Sequence, residues 1–280
     1  MGLFDKKSCD ICGEKIKLFA RKVEDGNLCK ECTKKLSPWF SERKKSTVAD
    51  IRAQLEYREA NKEAVKNFNV TRTIGDNYKV LLDENAKKFL VTNARKWQDE
   101  NPDVLDFGMV TGVTLNTEEH KHEEKRKTAD GKEVSYNPPV YDYSYDFDCT
   151  IHVNHPYFDE MTFRLNDREV HTGQTGYVQP ARGNVSINAG NGLAGAIAAG
   201  ITGAMANNTM QAGTVANPEI QMYQDMANEI KMTLLQARQD VRQEEMAANA
   251  PKQAVQCPNC GATTIPDANG CCEYCGGAVG

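Results

Sequence analysis

Residues 141–154 read Tyr-Asp-Tyr-Ser-Tyr-Asp-Phe-Asp-Cys-Thr-Ile-His-Val-Asn. Tyr141, Tyr143, Tyr145, Phe147, Cys149, Ile151 and Val153 alternate with Asp142, Ser144, Asp146, Asp148, Thr150, His152 and Asn154. A period of two sends alternate side chains to opposite faces of a strand. One apolar face and one polar face mark an antiparallel strand with a single buried side. Pro156 ends it, and Met161-Thr-Phe-Arg-Leu165 reads as the returning strand. Upstream, Tyr78 to Leu82, a turn at Asp83 to Ala86, and Lys88 to Val91 read as a hairpin. Val104 to Phe107 and Val110 to Leu115 read as further short strands. The charged run His120 to Lys132 contains Ala129-Asp-Gly-Lys132, a hairpin-tip signal.

Two helices flank these strands. From Ser46 to Phe68, the residues Val48, Ile51, Leu55, Tyr57, Ala60, Ala64, Val65 and Phe68 recur at helical steps and give a modest apolar stripe. The Lys/Arg-rich remainder of that helix reads as a solvated face. Pro218-Glu219 opens the second helix, with Ile220, Tyr223, Met226 and Ala227, Ile230, Thr233 and Leu234, Ala237 and Val241 on one stripe to about Ala248. Between sheet and helix the composition changes. Residues 171–217 hold nine Gly and six Asn, and Arg182 is their only Lys, Arg, Asp or Glu. Their middle, Leu193 to Ala206, is small and apolar. As a helix it would span about 21 Å, short of a hydrocarbon core of about 30 Å. It reads as a flexible insert, the sharper alternative being a membrane-surface or self-associating segment.

Eight of the ten cysteines form four Cys-x-x-Cys pairs. Cys9, Cys12, Cys29 and Cys32 lie at one end, and Cys257, Cys260, Cys272 and Cys275 at the other. Each quartet supplies the ligand count of a closed tetrahedral zinc site, so two Zn²⁺ ions per chain are expected. Iron–sulfur ligation uses the same four thiolates and is the rival. Disulfides suit secreted chains, whereas Met1 to Lys7 lacks the apolar run of a signal peptide. A thioredoxin-like motif needs one pair on a βαβ unit. The Gly after the first pair permits a tight knuckle, and Thr33 to Leu36 reads as a helix start, a treble-clef-like layout. The last quartet, two knuckles with no room for a helix, reads as a zinc ribbon. Cys271 stands outside the pair register as a spare thiol, and Cys149 reads as a small core residue.

The net charge of −5 is uneven. Residues 1–70 carry 16 Lys/Arg against 11 Asp/Glu, and the rest 18 against 28. The absence of a signal, a membrane-length apolar run and a disulfide pattern points to the cytoplasm. No phosphate loop, nucleophile elbow or dinucleotide fingerprint is present. Asp142, Asp146 and Asp148 share the polar strand face, which reads as exposed sheet. His152 and His155 would need His171 or Asp159 to form a third metal set, and are read as surface or turn residues. His120 and His122 are read as solvated loop.

The resulting class is α+β: an antiparallel sheet domain with a C-terminal helix, flanked by two small zinc modules. Strands in series closed by one helix resemble a pleckstrin-homology-like half-barrel. Cys9-Asp-Ile-Cys-Gly and Leu28-Cys-Lys-Glu-Cys, with the helix that follows, resemble the bacterial family known as domain of unknown function 4428 over about the first 70 residues. That resemblance implies a zinc module joined to such a sheet domain and no enzyme. The expected segments are a zinc module at 1–40, a linker helix at 41–72, the sheet domain at 73–170, the insert at 171–217, the closing helix at 218–248 and the zinc ribbon at 255–280. The expected role is a non-catalytic adaptor that takes a protein segment on its polar strand face or sheet edge. Nucleic-acid binding is the alternative. It is disfavoured at the last quartet, where residues 257–280 hold no Lys or Arg and one aromatic, Tyr274. The third class is membrane-surface attachment through 193–206 or the basic run Lys125-Arg-Lys127.

Overall fold

The computed structural model describes residues 7–17, 19–171, 217–249, 254–267 and 269–279. The expectations placed on the 171–217 insert, including its apolar middle, lie outside the described residues. Antiparallel sheets combine with helices in two compact units, Met1–Arg238 and Gln239–Gly280. Among the described residues no helix is long and apolar enough to cross a membrane.

In the first unit, strands β1 (Arg21–Lys22) and β2 (Asn27–Leu28) form a small hairpin, followed by helix α1 (Lys30–Lys34). Helix α2 (Val48–Asn67) starts at a reciprocal capping box. The Asp50 N–H donates to Thr47 Oγ1 at 3.2 Å, and the Thr47 N–H donates to Asp50 Oδ2 at 2.8 Å. Two of the orphan donors at the helix start are thereby satisfied. Its N-terminal half packs on the first cysteine module, with Ile51 buried among Cys9, Val23, Leu28, Cys32 and Leu36.

The buried stripe of α2 differs from the expected one. Ile51, Gln54, Arg58, Asn61 and Val65 are buried, and Ala60 is exposed. The helical step is as expected, but three of these five residues are polar. Arg58 and Asn61 face a loop that supplies the buried carboxylate of Asp103 and the carbonyls of Asn101 and Pro102. Part of the basic face read as solvated is therefore internal.

The first sheet has the order β3 (Arg72–Ile74), β4 (Lys79–Asp83), β5 (Lys88–Thr92) and β6 (Leu105–Asp106), all antiparallel. A single helical turn, α3 (Trp97–Glu100), lies between β5 and β6. Both faces of the central hairpin are covered. Leu81 and Leu90 pack with Phe68, Trp97 and Val104 on one side. Val80 opposite Val91, and Leu82 opposite Phe89, point to the other. Burial on both faces explains why β4 and β5 read as continuous apolar runs. The Asp83 side chain shapes the turn, with Oδ1 accepting from the Ala86 N–H at 2.9 Å and Oδ2 from the Asn69 N–H at 2.8 Å.

The second sheet is built on β7 (Val110–Lys127) and β8 (Glu133–His155), with β9 (Phe158–Arg164) and β10 (Val170–His171) along the other edge of β8. The alternating stretch keeps its period, but its polar face is not the exposed sheet expected: Ser144 and Asp146 are buried, Asp142 and Asp148 half-buried, and Tyr141 at the start of the apolar face is exposed. Tyr145, Phe147, Cys149, Ile151 and Val153 are buried. The run His120 to Lys127 is a correction: it belongs to β7, paired through to Lys127 against Glu133. Cross-strand partners hold this polar ribbon, such as His122 opposite Asp142, and Lys121, whose Nζ lies 3.8 Å from the centre of the Tyr141 ring. The tip falls where expected, with Gly131 at φ +80°, a left-handed conformation natural to glycine.

Helix α4 (Pro218–Ala248) buries Ile220, Tyr223, Ala227, Ile230 and Leu234, while Ala237 and Val241 are only half-buried. The Tyr223 ring stacks on Phe147 with centroids 5.3 Å apart. The Arg72 Nη2 bonds Glu229 Oε1 at 2.6 Å, linking β3 to the helix. Ile230 has 0 % of its surface exposed. Ile230→Ala is expected to cost about 2–5 kcal/mol in urea unfolding, the range for a truncated core aliphatic. A loss below about 1 kcal/mol would assign that position to the surface.

In the second unit, β11 (Val255–Gln256) pairs with β12 (Thr263–Thr264), and Cys271 bridges to Ala278. Among its described residues Cys257, Thr264 and Cys272 are buried, whereas Ile265 is 53 % and Tyr274 72 % exposed.

Candidate metal centres

The structure gathers all eight paired cysteines as the spacing requires. In each quartet the four Sγ atoms lie within 4.8 Å of one another. Three of the four pairs are built on one backbone device. Gly13, Gly261 and Gly276 adopt φ of +76°, +74° and +69°. Their N–H groups donate to the carbonyls of Cys9, Cys257 and Cys272, each at 2.8 Å. The N–H of the leading cysteine then donates to the carbonyl five residues on: Cys9 to Glu14 at 2.9 Å, Cys257 to Ala262 and Cys272 to Gly277 at 2.8 Å. This double bond pattern curls the chain so that both sulfurs of a pair face one point. The left-handed residue between the two bonds explains the Gly after each of these pairs.

The fourth pair uses a helix start. Cys29 is the N-cap of α1, and its Sγ accepts from the Cys32 N–H at 3.3 Å. The helix end favours negative charge there. Asp10 ties this arrangement together: its Oδ2 accepts from the Asn27 N–H at 2.7 Å, and Arg52 donates to its carbonyl. Gly26 is needed here for space. A Cβ at that position would sit 2.6 Å from Val48 Cγ2 and 2.7 Å from Asp10 Oδ2.

The sulfur spacing tests what the quartets can hold. Zinc–sulfur bonds of about 2.3 Å put the corners of a tetrahedron about 3.8 Å apart. Cys12 and Cys29 stand 3.8 Å apart, Cys257 and Cys275 3.6 Å, and Cys260 and Cys272 3.7 Å. Disulfide sulfurs stand about 2.05 Å apart, and all ten cysteines are free thiols. Both quartets can therefore bind a metal ion. The thiols of each quartet are held unequally: burial pushes Cys32 up, Cys12 and Cys260 are raised by neighbouring cysteine sulfurs, and one thiol in each quartet is lowered. Burial opposes ionisation of Cys9, but N–H donors from Cys12, Cys29 and Ile11 hold its pKa down to about 6. The Cys260 N–H and Asn259 N–H bring Cys257 down to about 7. Asn259 also donates to Cys275 Sγ at 3.8 Å, an outer contact that orients a ligand. Cys271 stays out of the quartet, its Sγ directed to the Asn269 carbonyl. Cys149 is fully buried, and burial pushes its thiol up to about 12.

Of the histidines, His120 and His122 fall elsewhere than expected. His152 pairs with Thr114 Oγ1 at 3.2 Å and Glu160 at 3.4 Å. His155 stacks on Phe158, with centroids 4.2 Å apart, beside Tyr57. His171 pairs with Asp142 at 2.8 Å. These three and Asp159 do not gather into a metal set. His120 and His122 stand on β7 instead, facing the carboxylates of Asp146 and Glu169. The clue was present in sequence as His-x-His at strand spacing, masked by the charges around it.

Residues 7–54 match the family described as Domain of unknown function (DUF4428). No curated protein and no solved structure matches the chain. The matched segment takes in the first quartet and the first two turns of α2. It thus includes Ile51, which completes the core of that module. It is shorter than the roughly 70 residues over which the resemblance was expected, and it leaves the two sheets and the second quartet outside.

Proposed function

We propose that the chain is a non-catalytic zinc-binding adaptor that takes an extended protein segment along the edge of its first sheet. Each quartet holds one zinc ion. Four thiolates close the coordination sphere, so the ions maintain shape and perform no reaction. The sheet unit is read as a pleckstrin-homology-like half-barrel. The four strands β3 to β6, the sheet around β8, and α4 closing them with its apolar stripe support that reading. The setting is a reducing compartment such as the cytoplasm, where free thiols persist.

The observation that carries the adaptor reading is a groove of about 630 Å³ between β3 and α4. Among the described strands β3 pairs only with β4, so its other edge can accept a strand. The groove has an apolar lining of Ile74, Met222 and Met226 and an acidic rim of Asp76 and Asp225, with Glu229 beside them already paired to Arg72. Met222 is exposed, which suits an adaptable contact. This chemistry fits an extended segment in which apolar residues alternate with Lys or Arg.

The test pairs metal analysis with peptide selection. Protein purified without added metal is expected to contain two zinc ions per chain, and a brown iron-containing sample overturns the zinc assignment. A random peptide library is expected to yield basic, alternating sequences. The double variant Asp76→Lys, Asp225→Lys is expected to bind them at least tenfold more weakly while keeping its zinc. Unchanged binding by that variant, or selection of acidic sequences, refutes the groove as the docking site.

A further inference from the structure

Three neighbouring strands bring a second kind of ligand set to one place. His120 and His122 lie two apart on β7, opposite Ser144 and Asp142 of β8, and Asp146 lies two residues beyond Ser144 on the same face. Glu169 immediately precedes β10, whose His171 pairs with Ser144 from the other side. The His120 Nε2 stands 3.1 Å from Asp146 Oδ2, and the His122 Nε2 3.8 Å from Glu169 Oε2. One ligand atom each from His120, Asp146 and Glu169 falls within a sphere of mutual distances no greater than 4.8 Å.

The carboxylate at the centre is built in. Asp146 is 3 % exposed, and its Oδ1 accepts from Asn166 Nδ2 at 2.8 Å. Its Oδ2 receives Arg164 Nη1 at 2.6 Å, and the Arg164 Nε also donates to Asp148 at 3.2 Å. The guanidinium therefore orients Asp146 from one side and leaves the second lone pair of Oδ2 toward His120. Glu169 is held by the Ser144 hydroxyl at 2.6 Å. Asp142, Asp146 and Glu169 bring three negative charges to this face, and Arg164 offsets one of them while shared with Asp148. An extended polar face has no need of two imidazoles converging on two anchored carboxylates. A divalent cation would meet that set with nitrogen and oxygen ligands at once.

We infer that His120, Asp146 and Glu169, with His122 beside Glu169, form a third metal site, for a first-row divalent cation such as Zn²⁺, Ni²⁺ or Co²⁺, on the polar face of the second sheet. Imidazole and carboxylate ligands suit these ions. Metal–ligand bonds of about 2.0–2.2 Å put tetrahedral ligand atoms about 3.4 Å apart. The 3.1 Å between His120 Nε2 and Asp146 Oδ2 already suits one ion. The other ligand atoms of His120, Asp146 and Glu169 lie no more than 4.8 Å apart, and side-chain rotation closes the remainder. His120 is half-buried and Glu169 exposed, so the site opens to solvent. With three protein ligands rather than four, it keeps a position for water or an outside ligand, unlike the two cysteine quartets. The inference does not depend on the adaptor reading.

The experiment uses the full chain carrying two zinc ions. Zn²⁺ is titrated by calorimetry and by NMR of the histidine ring protons, at a fixed pH of about 7.5. One further equivalent is expected to bind and to shift the rings of His120 and His122 but not His155. His120→Ala and Glu169→Gln are each expected to weaken that step at least tenfold, the scale on which ligand-shell changes act. His152→Ala is expected to leave it unchanged. Melting curves without added ion check that each variant folds; Glu169→Gln retains an acceptor for Ser144 should His120→Ala fail to fold. No third equivalent at millimolar Zn²⁺, or equal binding by both ligand variants, overturns the site. The histidine–carboxylate contacts are then hydrogen-bonded pairs of the ladder alone.

Discussion

Asp103→Ala is expected to destabilise the first unit by about 3–5 kcal/mol, the range found when one partner of a buried ion pair is removed. Asp103 is 0 % exposed and accepts from Arg58 Nη1 at 2.7 Å and from the Ser37 hydroxyl at 2.8 Å. Three parts of the chain meet at that carboxylate: the segment after α1, the middle of α2, and the loop before β6. Asn61 extends the set, donating to Asn101 Oδ1 at 2.8 Å and to the Pro102 carbonyl at 2.7 Å. Its own Oδ1 accepts from the Val104 N–H at 3.0 Å. Without Asp103 the Arg58 guanidinium remains buried with a full charge and two carbonyl acceptors, which is the costly half of the change. The double variant Arg58→Met, Asp103→Leu removes both charges, and much of the lost stability is expected to return. The exposed pair Glu59–Lys62 on the same helix is the control. Its 2.6 Å separation looks as good, yet its loss is expected to cost below about 1 kcal/mol, because both ends are already solvated. Urea unfolding of the four proteins decides the matter. A small effect of Asp103→Ala would mean that the junction between α2 and the sheet is wet.

This junction also shows what could be read before the fold was known. The strand at 141–154 and the helix from Pro218 announce themselves because apolar side chains recur with the period of the element, and each element then buries that face. The metal quartets are legible for a similar reason: both sulfurs of each pair and the turn between them are local. Arg58 carries no such local sign. Its partner is 45 residues away, so the same Lys/Arg-rich surface of α2 holds exposed Lys62 and Lys66 beside a buried arginine. Only the loop geometry around Asn101, with its left-handed φ of +50°, brings Asp103 to meet it. The β7–β8 ribbon was missed on other grounds. Its residues alternate in face but not in hydropathy, because both faces of much of it are exposed, and its pairing rests on the backbone ladder and cross-strand charge. The His120 and His122 cluster was hidden with it.

The largest expected effect is that of removing metal from the second quartet. Folding of small zinc modules is coupled to roughly 10–16 kcal/mol of metal binding at neutral pH. Among the described residues of this module, those buried are Cys257, Cys272 and Thr264, two of them from the quartet, and the larger apolar side chains Ile265 and Tyr274 face solvent. Burial of so little apolar surface does not offset the conformational entropy of ordering a chain of this length. Under a strong chelator the amides of Cys257, Gly261, Cys272 and Gly276 are therefore expected to lose their protection from hydrogen exchange entirely. The first quartet is expected to respond less. Val23, Leu28, Leu36 and Ile51 form a small core beside its sulfurs, and α2 carries that core into the rest of the unit. Cys29→Ser with Cys32→Ser is expected to remove one zinc and loosen the β1–β2 hairpin. The amides of β4, β5 and the Tyr145 to Val153 part of β8 are expected to keep their protection, since their side chains are buried in the sheets and against α4. Exchange measured residue by residue, with zinc counted in the same samples, separates the cases. Persistent protection at Cys257 to Gly276 after the metal has left would mean that the last module folds on contacts other than its metal ligands. Simultaneous loss of protection in β8 after the Cys29 and Cys32 changes would mean that the first quartet and the sheets unfold as one.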